Sequence, residues 1–139
     1  MKKTIETTHR INAPIENVWA NISKASGVHT WLPAIKSCSL DGIGEGAKRV
    51  CSSEQGDLSE TILTVDHANK IFRYAVDKQP FFPIENIAGS MRLSEISGYT
   101  QLEWTLAFDI ADEANFPMIT EAIEGMYAAG AAGLETISK

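Results

Sequence analysis

Few residues in this chain of 139 have the types and spacing that chemistry needs. His9, His29 and His67, with Cys38 and Cys51, lack the short ligand spacings of a zinc or iron site, so no metal is implied. No Gly-rich loop leads from a strand into a helix as a phosphate cradle requires. Chain order alone supports no Ser-His-Asp or Cys-His constellation. Proton transfer has two weak candidates, Glu60 and His9. His9 alternates with Ile5 and Ile11 on one face, where a lone histidine is more often a satisfied, partly buried residue than a general base. Glu60 lies in "LSETILTVD", which has two possible inner faces: Leu58, Glu60, Ile62 and Thr64, or Thr61, Leu63 and Val65. An inward Glu60 needs a partner, because a lone buried charge is very costly, and Arg49 is the candidate. The alternative is a structural or solvated ion pair. A buried Tyr74 also wants a partner for its hydroxyl, either a ligand or a neighbour.

These residues must be positioned by the elements around them. "TIETTHRI" alternates as a half-buried strand. "NAPIENVWANISK" predicts a helix with Pro14 at its first position and Val18, Trp19 and Ile22 as its apolar stripe. "VHTWLP" predicts a second short helical turn; Trp19 and Trp31 read as packing residues, His67 as exposed and His29 as lying in a loop. Residues 34–110 then change to period two. Three hairpins follow, around "DGIGEG", "HAN" and "SG". Period two fixes the faces. Trp104, Leu106 and Phe108 point inward, as do Ile87, Gly89, Met91 and Leu93, and Phe72, Tyr74 and Val76.

Pro117 opens a helix running to about Ser138, with Ile119, Ile123, Met126, Gly130, Leu134 and Ile137 as its buried stripe. A one-sided antiparallel sheet must cover its apolar face, and only this helix is long enough. The order predicts an α+β fold: a curved seven-stranded antiparallel sheet gripping a long C-terminal helix, with two short helices between the first two strands. One domain is expected over residues 1–139. Gly89 and Gly130 remove volume between sheet and helix, which implies either a cavity or an unusually close approach.

Composition narrows the function classes. With 18 acidic and 12 basic residues, the net charge of −6 argues against a nucleic-acid binder. No apolar run approaches the ~20 residues of a membrane span, and "MKKTIETTHR" has no apolar segment to serve as a signal peptide. A cytoplasmic location with reduced thiols is the default expectation. A Cys38–Cys51 bridge across the first hairpin is possible but not expected in a reducing compartment.

The motifs "INAPIENVWANIS", "WLPAIKSCS", "GEGAKRV", "SETILTVD", "FRYAV" and "YTQLEWTLAFD" together resemble the START/Bet v 1-like superfamily, and more narrowly the bacterial polyketide cyclase/dehydrase and lipid-transport group. The similarity spans nearly the whole chain. It implies a helix-grip fold with an apolar cavity between sheet and helix, and it implies that Arg49 and Glu60 face that cavity. With "EQGD" as the turn, Cys51 lies opposite Glu60 and Arg49 is its diagonal neighbour, within reach of long side chains. "IKSCS" is also similar to the plant abscisic acid receptors. However, Leu32 stands where they carry a pocket lysine, and "SSEQG" and "FFP" replace their gate and latch motifs, so a hormone-receptor assignment is rejected.

The leading expectation is a protein that binds a small hydrophobic or amphipathic molecule of lipid, polyketide or aromatic type, without a cofactor. The expected cavity is lined by Arg49, Glu60, Ile62, Phe72, Tyr74 and Val76, by Ile87, Gly89, Met91, Trp104, Leu106 and Phe108, and by Ile123, Met126 and Gly130. Two alternatives stand beside it: a cyclase- or dehydratase-type enzyme using Glu60 or His9 in the same cavity, and a ligand-free interaction module. The chain is expected to be a monomer or a homodimer.

Overall fold

A computed structural model describes all 139 residues. Alternation sets the architecture. In β7 (Tyr99–Ile110), Leu102, Trp104, Leu106, Phe108 and Ile110 are buried while the residues between them are half-exposed. The same pattern recurs in β6 (Ile84–Ile96) and β5 (Ile71–Lys78). The remaining strands are β1 (Lys2–Ile11), β2 (Ser37–Asp41), β3 (Lys48–Ser53) and β4 (Gly56–Asp66). All pair antiparallel in one seven-stranded sheet, ordered β1-β7-β6-β5-β4-β3-β2. Helix α1 (Ile15–Ser23) follows β1, and a single 3₁₀ turn, Val28–Thr30, is the second of the two short helical elements. Pro14 caps α1 from just outside its first turn. Helix α2 (Phe116–Ser138) lies against the inner face of the sheet, where Phe108 meets Phe116 and Trp104 meets Tyr127.

Four local expectations are corrected. The β3–β4 turn is two residues, Glu54 and Gln55, closed by the pair Ser53↔Gly56. The Ser53 hydroxyl donates to the Gly56 carbonyl and accepts from the Gln55 N–H, which holds the turn tight. Arg49 therefore stands directly opposite Glu60, and Cys51 opposite Leu58. Second, β4 carries a register shift between Ile62 and Thr64. Glu60 and Ile62 are buried before it, and Val65 packs inward after it, opposite Phe72. The strand thus uses one face and then the other, because a bulge inserts a residue and inverts the alternation.

Third, the buried stripe of α2 is Ile119, Ile123, Tyr127, Gly130, Ala131, Leu134 and Ser138. Ile137 is 37% exposed and Met126 only partly buried. Fourth, Cys38 and Cys51 are directly opposed across β2 and β3, with Cα atoms 4.1 Å apart, and form a disulfide, so neither thiol is free. Direct opposition in an antiparallel pair brings the two Cβ atoms within bridging distance.

Candidate ligand-binding site

The inner face of the sheet borders two adjoining chambers, one under α2 and one under the segment from α1 to β2. The outer one, about 90 Å³, is walled by Val76, Ile87 and Leu106 of the sheet and by Ile123, Met126 and Tyr127 of α2. The β5–β6 connection covers it with Phe81 and Phe82. Gln79 holds that connection in place: its Oε1 accepts from the backbone N–H of Phe81 (2.7 Å) and of Phe82 (2.9 Å), while its Nε2 donates to the Phe82 carbonyl (2.6 Å). The inner chamber, about 40 Å³, is bounded by Ile22 and Trp31 on one side and by Arg49, Phe72 and Met91 of the sheet on the other. Leu32, Leu58, Glu60, Tyr74 and Trp104 border both chambers and form the partition.

The partition is polar and aromatic. Arg49 Nε donates to Glu60 Oε1 at 2.7 Å, and Arg49 Nη1 donates to the Ala25 carbonyl at 2.9 Å. Both side chains are almost fully buried. Ala25 terminates α1 in the left-handed region (φ 65°), a conformation that disfavours a residue with a Cβ. The guanidinium carbon lies 5.6 Å from the Phe72 ring centroid and 5.7 Å from that of Tyr74, within cation–π range. Burial pushes the Glu60 carboxyl up, Arg49 opposes that shift by charge and hydrogen bond, and Asp77 adds to it.

Next to this pair, Trp104 Nε1 donates to the Tyr74 hydroxyl at 3.0 Å. The Trp104 ring stacks on Tyr127 with centroids 3.8 Å apart and planes within 4°. Burial raises the Tyr74 hydroxyl, with a further push from Glu60. Tyr127 is raised well above its ordinary value of 10.0, by burial first and then by Tyr74 and Glu60. Both phenols therefore stay neutral at physiological pH. Trp31 is buried, and its indole N–H has no hydrogen-bond partner. Arg49 and Glu60 are the only charged residues on either wall.

Against this geometry, comparison with known proteins is decisive for the family. A family model described as polyketide cyclase/dehydrase and lipid transport matches residues 2–138. The chain belongs to that family. That family, together with the fold, supports a hydrophobic ligand-binding role. No functionally curated protein matches it in sequence. Among solved structures, a protein from Nitrosospira multiformis is 23% identical with a TM-score of 0.81, over 99% of this chain and 97% of that one. A protein from Thermobifida fusca is 24% identical with a TM-score of 0.82, over 95% and 90% of the two chains. The protein Ara h 8.0201 is 15% identical with a TM-score of 0.75, over 98% and 99%. These likenesses establish the fold, the Bet v 1-like helix grip.

In this member of the family, the structure brings Arg49, Glu60, Phe72, Tyr74, Val76, Ile87, Met91, Trp104, Leu106, Ile123 and Met126 to one chamber or the other. Ile62, Gly89, Phe108 and Gly130 lie outside both walls. Gly89 is opposite Tyr74 on the neighbouring strand, and the Tyr74 ring occupies the space where a side chain at Gly89 would project. A Cβ at Gly130 would lie 3.0 Å from Leu32 Cδ1 and 3.2 Å from Trp104 Cζ3, so that glycine serves close packing. His9 is half-buried on β1, its Nε2 2.8 Å from the Thr7 hydroxyl, and borders neither chamber. His67 is exposed, and its Nδ1 accepts from Trp19 Nε1 at 3.0 Å. Sequence reasoning missed Tyr127, Trp31, Leu32, Leu58 and the Gln79–Phe82 connection as wall residues. Tyr127 had a usable signal, since it stands four residues after Ile123 and eight after Ile119. The connection had none, because period and propensity say nothing of how a loop folds back.

Proposed function

We propose that this member of the family binds a small apolar or amphipathic molecule in the two adjoining chambers on the inner face of the sheet, one under α2 and one under the segment from α1 to β2. One observation carries the reading. The outer chamber is walled almost wholly by apolar and aromatic side chains, yet it adjoins a buried cluster of Arg49, Glu60 and Tyr74. Interiors normally close such voids, since each costs stability. An apolar pocket with a few convergent polar groups is the usual form of a small-molecule site.

The reading is tested by native mass spectrometry of freshly purified protein and by thermal shift against solvent-extracted lipids and small aromatic alcohols and ketones. A binder at a hundredfold excess over its Kd stabilises by about 2.7 kcal/mol, a rise in Tm of several degrees. Leu106→Trp fills the outer chamber and should abolish that rise. The reading fails when nothing co-purifies and no compound moves the Tm.

A second reading is favoured by the raised Glu60 carboxyl: a proton-transferring enzyme of cyclase or dehydratase type. Glu60→Gln separates the two. Retained binding with lost turnover supports the enzyme, whereas retained binding with no turnover in either form supports carriage alone.

A further inference from the structure

One wall residue of the inner chamber carries a buried donor with no partner. Trp31 is 6% exposed, lines that chamber, and leaves its indole N–H unpaired. Native interiors leave few such groups, and each is costly. The only other unpaired buried side-chain atom is the Thr120 hydroxyl, which borders neither chamber. The other indole of the inner chamber, Trp104, already donates to Tyr74. Arg49 is committed as well, to Glu60 and to the Ala25 carbonyl, so no free cation faces a ligand. An incoming carboxylate would meet Glu60 without a counter-charge.

The chambers are also small. Neither reaches the ~150 Å³ that accommodates benzene in an engineered apolar cavity, although the two joined come near it. We infer that the site takes an uncharged, single-ring molecule bearing one oxygen acceptor, a ketone or an alcohol. The oxygen sits in the inner chamber on the Trp31 Nε1–H, and the ring lies against Trp104 and Tyr127 in the outer one. This inference rests on the apolar-ligand reading above and adds the class of ligand and the residue that selects it.

The test uses three probes of one shape: cyclohexanone, methylenecyclohexane and cyclohexanecarboxylate. Each is titrated into the full chain and followed by the indole N–H resonances and by thermal shift. Cyclohexanone should move the Trp31 N–H signal downfield, and methylenecyclohexane should not. Trp31→Phe should weaken cyclohexanone up to about tenfold more than it weakens methylenecyclohexane, the worth of one buried hydrogen bond. The carboxylate should bind more weakly than either neutral probe. Equal effects of the substitution on both neutral probes, or a Trp31 signal that ignores the ketone, would overturn the inference while leaving the apolar site standing. The wild-type signal decides the matter even when Trp31→Phe does not fold. Preferred binding of the carboxylate would also overturn it, by showing that Arg49 is released to the ligand. Failure of all three probes would overturn the single-ring inference, while the apolar-ligand reading is decided separately by co-purification and the wider Tm screen.

Discussion

Arg49 and Glu60 hold two charges inside a cavity wall that is otherwise apolar and aromatic. Taking two ions out of water costs several kcal/mol each, and their mutual attraction repays this only when the geometry is good and the remaining polar atoms are paired. Here the direct bond is 2.7 Å, the Ala25 carbonyl takes a second guanidinium N–H, and two aromatic faces flank the cation. The upward push on Glu60 by burial shows that the compensation is incomplete. Arg49→Met should therefore destabilise the fold by about 3–5 kcal/mol at neutral pH, since it strands a buried carboxylate. The double variant Arg49→Met/Glu60→Leu should recover most of that loss. Urea unfolding of the two variants checks this, and equal stability of single and double would show that the pair is not coupled. The direct pairing was half legible in the sequence. Periodicity left the face of Glu60 open, the family resemblance turned Glu60 and Arg49 inward, and charge burial made them partners, but the position of Glu60 opposite Arg49 depends on a turn one residue earlier than "EQGD" suggests.

Helix α2 shows what sequence can and cannot say about a glycine. Missing volume at Gly89 and Gly130 was legible, whereas what occupies it was not: the Tyr74 ring in one case, Leu32 and Trp104 in the other. A pattern records that a side chain is absent and carries no information on which neighbour moves in. Strand faces were readable for the opposite reason, because period two is a property of each strand alone. The β4 bulge escaped, since an inserted residue leaves no mark on composition. The three glycines of α2 therefore behave differently. At Gly125 a Cβ meets nothing within 4 Å, so Gly125→Ala should stabilise by about 1 kcal/mol through helix propensity alone. At Gly133 a Cβ would fall on the Trp31 backbone carbonyl, which cannot rotate away, so Gly133→Ala should destabilise despite the same propensity gain. Gly130→Ala falls between, because its nearest neighbour is the end of the flexible Leu32 side chain. Thermal unfolding of the three variants should rank 125 above wild type and 133 lowest, and a uniform gain across all three would refute the close-packing account.

At the scale of the whole molecule, buried and half-buried groups give the stability a defined pH dependence. Glu60 binds its proton more tightly in the folded chain, because burial raises its carboxyl above the ordinary value of 4.5. Its contribution is full below that value and is lost as pH rises through the folded value. Tyr74 and Tyr127 carry the same sign above 10.0, again through burial. His9 has the opposite sign. Partial burial lowers its imidazole below 6.5, so the stability it supports is present above 6.5 and falls as pH drops through the lowered folded value. Asp66, held down first by Asn69, and Asp109, held down first by Asn86, lose their contributions only as pH falls below 3.8. Glu60 acts upward from 4.5 and His9 downward from 6.5, so where these windows overlap they oppose each other, and the wild-type profile should be flatter there than either group alone would make it. Two substitutions separate them. His9→Gln should leave a profile in which stability falls as pH rises from 4.5, the unopposed signature of Glu60. Glu60→Gln should leave stability rising with pH up to 6.5, the signature of His9. Glu60→Gln also removes the counter-charge of Arg49 at every pH, so the slope of urea midpoint against pH is the readout and the absolute level is not. Matching slopes in the two variants would show that neither group controls the profile.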